Sequence, residues 1–199
     1  YTGIRVRGVS AQSTNITING IPYNDAESLG TFWVNLGDFA SSVESLQLQR
    51  GVGTSTNGSG AFGASINILT DAVSNEASGE ISNSFGSHNT RKHTVKYSTG
   101  LINNHFEIAG RLSNIVSDGY IDRASSDLKS YYLQGAYKDD NTLVKAIHFA
   151  GSEVTYQSWF GVDRDTAINN PTFNPAGAIL DDQGDIVRFH NNQVDDYKQ

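Results

Sequence analysis

The sequence predicts a mainly β protein in two parts, an α+β region over residues 1–75 and a series of antiparallel strands over residues 76–199. Two observations predict this division. Residues 44–70, ESLQLQRGVGTSTNGSGAFGASINILT, read as two strands joined by a glycine-rich turn, and their first half is too apolar for a free linker. Beyond residue 73, apolar residues recur at every second position, which is the period of strands with two unlike faces.

Short strands separated by turns rich in Gly, Asn and Ser are expected in the first region. We expect strands over residues 4–7, 15–19, 43–49 and 64–69, and a helical start to residues 40–45.

The glycine run of this region allows positive φ and close approach of the backbone, at Gly51, Gly53, Gly58, Gly60 and Gly63. A dinucleotide-binding fingerprint is a poor alternative, because Thr56 stands where the third glycine belongs, and the Lys of a phosphate-binding loop is lacking. A flexible surface loop is the simpler alternative.

Five strands are expected in the second region, over residues 81–85, 95–99, 106–113, 131–137 and 142–150. Their connections alternate in length. Residues 100–104 and 138–141 are tight turns, whereas residues 117–130 and some forty residues after the fifth strand are long. Short turns at one end and long loops at the other are typical of outer-membrane barrels. A soluble sandwich or jelly roll accounts for the strands but not for this asymmetry.

Composition excludes several classes of function. The chain has no Cys, which removes disulfides, thiol nucleophiles and thiolate metal ligands. Its net charge is −7 and its 14 Lys and Arg residues are dispersed, so a nucleic acid is not expected as a partner. No run of apolar residues is long enough for a transmembrane helix. No signal peptide precedes Tyr1 and no strand ends the chain, so both ends are expected to be cut.

Three linked motifs occur in order: IRVRG at residues 4–8, ITINGIPYND at residues 16–25, and the glutamate-to-RG strand of residues 44–51 with its small-residue loop and INI strand. In this order they resemble the plug of TonB-dependent outer-membrane receptors. Residues 153–159 and 174–177 resemble the third external loop of Bacteroidetes-type iron-complex receptors. The resemblance implies an α+β plug followed by the first strands of a large antiparallel transmembrane β-barrel, of about 22 strands when complete.

The resemblance also implies a function. We expect TonB-dependent active import of a ferric siderophore or related iron chelate across the outer membrane of a Gram-negative bacterium. The implied partners are the TonB energy-coupling protein, bound through an N-terminal box, the iron chelate and outer-membrane lipid. No cofactor, metal site or catalytic residue is expected, so the chain is not expected to be an enzyme. Alternatives are import of an oligosaccharide or another scarce nutrient, and a non-transporting adhesin or phage receptor on the same barrel.

In the family, plug arginines of the RG motifs pair with barrel glutamates, and Arg7 and Arg50 match these positions. A planar guanidinium suits such a lock, because it binds a carboxylate through two hydrogen bonds and keeps its charge when enclosed. The plainer alternative is that each arginine ends an exposed strand.

Ligand contacts in siderophore receptors come from apical loops of the plug. The matching loops here offer Gln12, Tyr23, Phe32 and Trp33. Aromatic side chains combine rigid apolar area with a polar tip, which suits a flat chelate. Phe32 and Trp33 fit equally well as core residues beneath the loop.

Two further features are interpreted as ordinary structure. His88 and His93 flank the first external turn, but no third metal ligand accompanies them. Residues 181–185, DDQGD, resemble a calcium loop, but Gln193 stands near the place of its last ligand, so a hairpin turn is expected.

Overall fold

A computed structural model describes residues 3–52 and 62–190 of the chain. These residues form two compact units. The first unit contains the chain up to Ser78 together with Ser98–Ala109 and Gln134–His148. The second unit contains Gly79–Tyr97, Gly110–Leu133 and the chain from Phe149 onward.

The first unit is built on a four-stranded sheet in the order β2-β1-β4-β3. Strand β1 runs parallel to β4, and β3 runs antiparallel to β4. All five positions of β1 are buried, which explains its β-branched sequence TNITI. The bounds are Thr14–Ile18 for β1, Ile21–Pro22 for β2, Val43–Arg50 for β3 and Ala64–Thr70 for β4.

Three of the four strands expected in this region are confirmed, over residues 15–19, 43–49 and 64–69. The helical start of residues 40–45 is also confirmed, as the 3-10 helix Phe39–Ser42. The strand expected over residues 4–7 is wrong. Arg7 and Gly8 have φ of 53° and 77°, and the amide of Val9 donates to the carbonyl of Val6, so the RG motif forms a turn.

The two ends of the glycine-rich turn show why small residues are needed there. Gly51 has φ of 80°, and its amide donates to the carbonyl of Gly63 over 2.8 Å. A Cβ at Gly63 would lie 3.1 Å from the carbonyl oxygen of Ser13, closer than ordinary contact. Gly53, Gly58 and Gly60 lie outside the described residues.

A second sheet has five strands in the order β5-β6-β7-β8-β9. Sequential strands are neighbours joined by short connections, so they run antiparallel. All five expected strands are confirmed. β7 and β8 are longer than expected, which shortens their connection to residues 118–125. The bounds are Ser78–Phe85 for β5, Arg91–Ser98 for β6, Phe106–Ser117 for β7, Ser126–Lys138 for β8 and Leu143–Thr155 for β9.

The two faces of this sheet are opposite in polarity to those of a water-soluble sheet. Exposed apolar side chains occupy one face, with Ile81 75% and Ile108 61% exposed. Polar side chains of the other face are buried, with Glu107, Arg111 and Gln134 each 2% exposed. Other exposed members of the apolar face are Phe85, Tyr97, Phe106, Leu112 and Leu133.

The segment after β9 is more ordered than expected. It contains the helix α1, Arg164–Asn169, and a hairpin of β10, Ala178–Leu180, and β11, Ile186–Phe189. The long connection expected after the fifth strand therefore contains short elements of secondary structure, and it begins after Thr155 because β9 is longer than expected. Asp163 caps α1 by accepting hydrogen bonds from the amide and hydroxyl of Thr166, which lower the pKa of its carboxyl.

The hairpin turn expected over residues 181–185 is confirmed. The Asp181 side chain accepts from the amides of Gln183 and Asp185, and Gly184 has φ of 89°. Over the described ranges, no helix has both the length and the apolar character needed to cross a membrane.

Candidate functional site

The loop that follows β2 is fastened to β1 by one amide side chain, Asn24. Its Oδ1 accepts from the amide of Ile16 over 2.7 Å, and its Nδ2 donates to the carbonyls of Thr14 and Leu29 over 2.9 Å each. The side chain of Asn24 therefore forms hydrogen bonds with the backbone of β1 in the way that a neighbouring strand would. Sequence reasoning missed it, although an Asn beside Asp in an NG-turn segment is a usual sign of side-chain-to-backbone bonding.

Asp25 closes the same loop on itself. Its Oδ1 accepts from the amide of Ser28 over 2.7 Å and from that of Glu27 over 3.2 Å. The hydrogen bonds from Ser28 lower the pKa of this carboxyl below its ordinary value. Hydrogen bonds of the Asn24 and Asp25 side chains within the chain thus hold this loop in its conformation.

The aromatic side chains proposed as ligand contacts differ in their exposure. Tyr23 is half-buried beside β1, where its amide donates to the carbonyl of Ile16, and burial raises the pKa of its phenol. Phe32 is 54% exposed, and Trp33 is half-buried at the start of a 3-10 helix, Trp33–Asn35. Gln12 lies exposed in the 3-10 helix Ala11–Ser13 that leads into β1.

The two arginines proposed for the lock are both exposed. Arg7 lies in the turn that replaces the expected first strand. Arg50 is the last residue of β3 and pairs with Ala64 of β4. Each guanidinium is therefore accessible to a carboxylate. The pairing of these arginines with barrel glutamates stays a prediction.

A buried carboxylate in the first unit was missed by sequence reasoning. Glu107 of β7 accepts hydrogen bonds from the amide of Ser74 over 2.9 Å, the hydroxyl of Ser98 over 2.7 Å and the amide side chain of Gln134 over 3.0 Å. Ser74 belongs to the segment between the two sheets, whereas Ser98 and Gln134 lie on β6 and β8. The sequence feature that could have indicated this buried position is a charged residue between the apolar Phe106 and Ile108 of a predicted strand, which places Glu107 on the opposite face.

A cation beside Glu107 holds the same connecting segment. The Nζ of Lys145, on β9, donates to the carbonyl of Asp71 over 2.8 Å, and the carboxylates of Glu107, Glu44 and Asp71 all face its charge. Residues 71–74 are therefore bound at both ends by side chains of the second sheet. The departure of Lys145 from the apolar pattern of its strand thus has a structural reason.

In the second unit, two long connecting segments are joined around Asn174, which is 1% exposed. Its Nδ2 donates to the carbonyls of Asp122 and Gln157 over 2.9 Å each. Arg123 donates to the carbonyl of Asn174 and lies 3.9 Å from the ring centroid of Phe189. The segment between β7 and β8 and the segment after β9 thus support each other.

The histidines have structural neighbours. The ring Nδ1 of His93 lies 2.6 Å from Asn83 Oδ1, and His88 packs edge-on against Tyr120. In the part of the chain that the structure describes, no three His, Asp or Glu side chains are grouped so that they could hold a metal ion.

Comparison with known protein families identifies the first region. Residues 1–65 match the family described as "TonB-dependent Receptor Plug Domain". A curated relative is the probable TonB-dependent siderophore receptor PirA of Acinetobacter baumannii, which is 33% identical over 86 residues. That alignment covers 39% of this chain and 11% of the relative.

Solved structures share the fold over most of the chain. The pyoverdine outer membrane receptor FpvA of Pseudomonas aeruginosa PAO1 matches with a TM-score of 0.64 and 16% identity, over 92% of this chain and 25% of that one. The ferric citrate transporter FecA matches with a TM-score of 0.65 and 18% identity, over 88% of this chain and 28% of that one. The chain therefore spans about a quarter of the length of these proteins. The family match thus covers residues 1–65, which are similar to a TonB-dependent receptor plug domain, and the solved structures extend the shared fold to the strands that follow.

Proposed function

We propose that the chain is the plug and the first barrel strands of an outer-membrane transporter that imports a ferric siderophore or related iron chelate into a Gram-negative bacterium. Residues 1–75 are assigned to the plug and residues 76–199 to the start of the barrel. Energy comes from the TonB energy-coupling protein. The observation that carries the proposal is the inverted polarity of the β5–β9 sheet, in a chain whose residues 1–65 match a plug domain.

The inverted polarity suits a sheet with lipid on one side. Burying Glu107, Arg111 and Gln134 while exposing Ile81 and Ile108 would be unfavourable in water, because apolar area would stay hydrated. In a membrane the same arrangement is favourable, since apolar side chains contact lipid and polar side chains face a wet interior. The strands β7, β8 and β9 contain 12, 13 and 13 residues, enough to cross a bilayer at the tilt of barrel strands.

The iron chelate is proposed as cargo from two observations. The curated relative is named a siderophore receptor, and the solved relatives are named for pyoverdine and ferric citrate. In this chain, the loop fastened by Asn24 presents Tyr23, Phe32 and Trp33 on a preorganised backbone. Rigid aromatic groups lose little conformational entropy when a ligand binds them.

Glu107 and Lys145 are proposed as a strand-side lock that complements the plug arginines. Their side chains hydrogen-bond to the backbone of Ser74 and Asp71, in the segment between β4 and β5. A connecting segment fixed at this point keeps the plug attached while other parts of it move. In this proposal, Arg7 and Arg50 pair with carboxylates elsewhere in the full-length protein.

The direct test is uptake of labelled iron by an iron-starved host with and without the full-length gene, with defined chelates supplied one at a time. We expect uptake of at least one ferric siderophore to require both the gene and a functional TonB. Uptake unchanged for every iron source, with growth on a glycan or cell adhesion lost instead, would refute the iron assignment.

Removing the apical aromatics should weaken ligand binding. For Tyr23→Ala with Trp33→Ala in the full-length receptor, we expect affinity for the imported chelate to fall by about 1 to 3 kcal/mol, the range for buried aromatic contacts. Equilibrium binding of the labelled chelate measures the change, and Tyr97→Ala, on the exposed face of β6, is the control. If the double variant binds the chelate with unchanged affinity but unfolds at a lower temperature, both residues are core residues of the plug and not ligand contacts.

Removing the plug arginines should loosen the plug. For Arg7→Ala with Arg50→Ala, we expect greater sensitivity to antibiotics that are too large for ordinary porins, because charge-assisted contacts to the barrel are lost. Minimum inhibitory concentrations in hosts with matched receptor levels measure the leak. Arg5→Ala is the matched control, an exposed arginine two residues away, and equal sensitivity in all strains would rule out the lock.

Neutralising Glu107 should loosen the connecting segment. In Glu107→Gln one acceptor oxygen becomes a donor, so one of the three bonds is lost and Lys145 loses a facing charge. We expect destabilisation by about 1 to 3 kcal/mol, with faster hydrogen exchange over residues 71–77. Glu80→Gln, an exposed glutamate of β5, is the control. Identical exchange in both variants would contradict the strand-side lock.

A further inference from the structure

The loop after β2 contains a tight turn over residues 25–30. The amide of Asp25 donates to the carbonyl of Gly30 over 2.8 Å, and the amide of Leu29 donates to the carbonyl of Asp25 over 2.9 Å. The carbonyl of Leu29 accepts from the Asn24 side chain over 2.9 Å. Both backbone polar groups of Leu29 are therefore bonded, and these hydrogen bonds hold Leu29 in its conformation.

The backbone of Leu29 is strained in this turn. Its φ is 56°, in the left-handed region, where the Cβ of an L residue lies too close to a carbonyl oxygen. Glycine avoids this cost, and Asn or Asp offset it with side-chain hydrogen bonds, but Leu does neither. Over residues 3–52 and 62–190, Leu29 is the only apolar residue among the non-glycine residues with positive φ. Its side chain is 55% exposed, so packing compensates little of the strain.

A second unfavourable feature lies two residues further along the chain. The hydroxyl Oγ1 of Thr31 is shielded from solvent and has no hydrogen-bond partner among the described residues. A buried hydroxyl without a partner is costly, because it has lost its hydrogen bonds to water. The backbone of Leu29 and the side chain of Thr31 are independent groups, and both disfavour the closed turn. Strained groups of this kind are concentrated at ligand clamps and switch segments of proteins.

The residues on either side of the turn are held by other hydrogen bonds. The amide of Tyr23 donates to the carbonyl of Ile16 over 2.9 Å, and the 3-10 helix Trp33–Asn35 begins directly after Phe32. These contacts do not involve the turn. The aromatic side chains proposed as ligand contacts can therefore stay in place while residues 25–31 change conformation.

We propose that the turn of residues 25–30 opens when the iron chelate binds, and that the Thr31 hydroxyl then donates to an oxygen atom of the chelate. The inference rests on the proposed function, because it states how the plug loop responds to the imported ligand. On opening, Leu29 leaves the left-handed region and Thr31 gains a hydrogen-bond partner. A chelate that holds iron through oxygen atoms offers acceptors for this hydroxyl.

The strain has a defined effect on ligand affinity. A ligand shifts a conformational equilibrium only by binding one conformation better than the other. Strain in the closed turn makes opening easier, so it raises the apparent affinity for the chelate. A substitution that relieves the strain should therefore stabilise the closed turn and weaken binding. Loss of an ordinary ligand contact weakens binding without stabilising the turn, so the two measurements together separate these roles.

The test compares two matched pairs of variants of the full-length receptor. Leu29→Gly and Leu29→Ala both remove the leucine side chain, but only Gly relieves the strain at positive φ. Thr31→Val and Thr31→Ser differ in whether the hydroxyl is kept. Ferric citrate, ferripyoverdine and a ferric tris-hydroxamate are the probes, and the one whose uptake requires the gene is used for equilibrium binding. Hydrogen exchange of residues 24–33 is measured with and without that chelate.

We expect Leu29→Gly to bind the chelate about fivefold more weakly than Leu29→Ala, the factor that corresponds to the cost of the left-handed conformation. Without chelate, the amides of Asp25 and Leu29 should exchange more slowly in Leu29→Gly than in Leu29→Ala. Thr31→Val should bind about fivefold more weakly than Thr31→Ser, because its hydrogen bond to the chelate is lost. In the native receptor, the chelate should accelerate exchange of the same two amides, because their hydrogen bonds close the turn.

Three outcomes would overturn the proposal in distinguishable ways. A receptor that delivers iron from none of the three probes would refute the proposed function and the opening turn together. A receptor that imports iron, but in which Leu29→Gly and Leu29→Ala bind equally and the chelate slows exchange of Asp25 and Leu29, would refute the opening turn alone. Equal binding by Thr31→Val and Thr31→Ser would refute the hydroxyl contact. If a Leu29 variant fails to assemble in the outer membrane, hydrogen exchange in the native receptor decides whether the turn opens.

Discussion

The buried polar face of the β5–β9 sheet is the constraint on which the remaining structure depends. Once the apolar side chains point outward, each polar group on the other face needs a hydrogen-bond partner, because an unsatisfied buried group is costly. Glu107 meets this requirement with three donors, and one of them is the backbone amide of Ser74. The same bonds that satisfy the carboxylate therefore fix the segment that connects the two sheets. The hydrogen bonds that satisfy the buried carboxylate of Glu107 therefore also restrain the chain that leaves the first sheet.

Sequence reasoning was strongest where structure is local and periodic. The strand from Val43 and the strand from Ala64 were predicted because apolar residues flank a glycine turn, and β5 to β9 because alternation of period two persists over many residues. The strand predicted over residues 4–7 is wrong. Its composition is typical of a strand, but Arg7 and the following Gly8 both have positive φ angles. Sequence reasoning also missed α1 and the two short strands on either side of the expected turn at residues 181–185, since short elements in long connections carry weak patterns.

The candidate site was less predictable than the fold. Gln12, Tyr23, Phe32 and Trp33 came from matching loops in a family, and residue type alone could not separate contact from core. The partners of Asn24 and Glu107 could not be deduced, because Glu107 meets Ser74 and Gln134 across 33 and 27 residues of sequence. Such contacts depend on strand register, which a single sequence does not encode explicitly.

The parallel pairing of β1 with β4 has a mechanical consequence. Five successive residues of β1, from Thr14 to Ile18, are in register with β4, whereas only two residues pair with β2 on the other side. Tension applied along β1 loads the whole β1–β4 ladder in shear, so its hydrogen bonds share the load. Tension applied across β1 loads them one after another, beginning at the bond between Gly63 and Ser13. The angle at which the chain approaches Ser13 therefore determines whether this sheet resists a given force or opens under it.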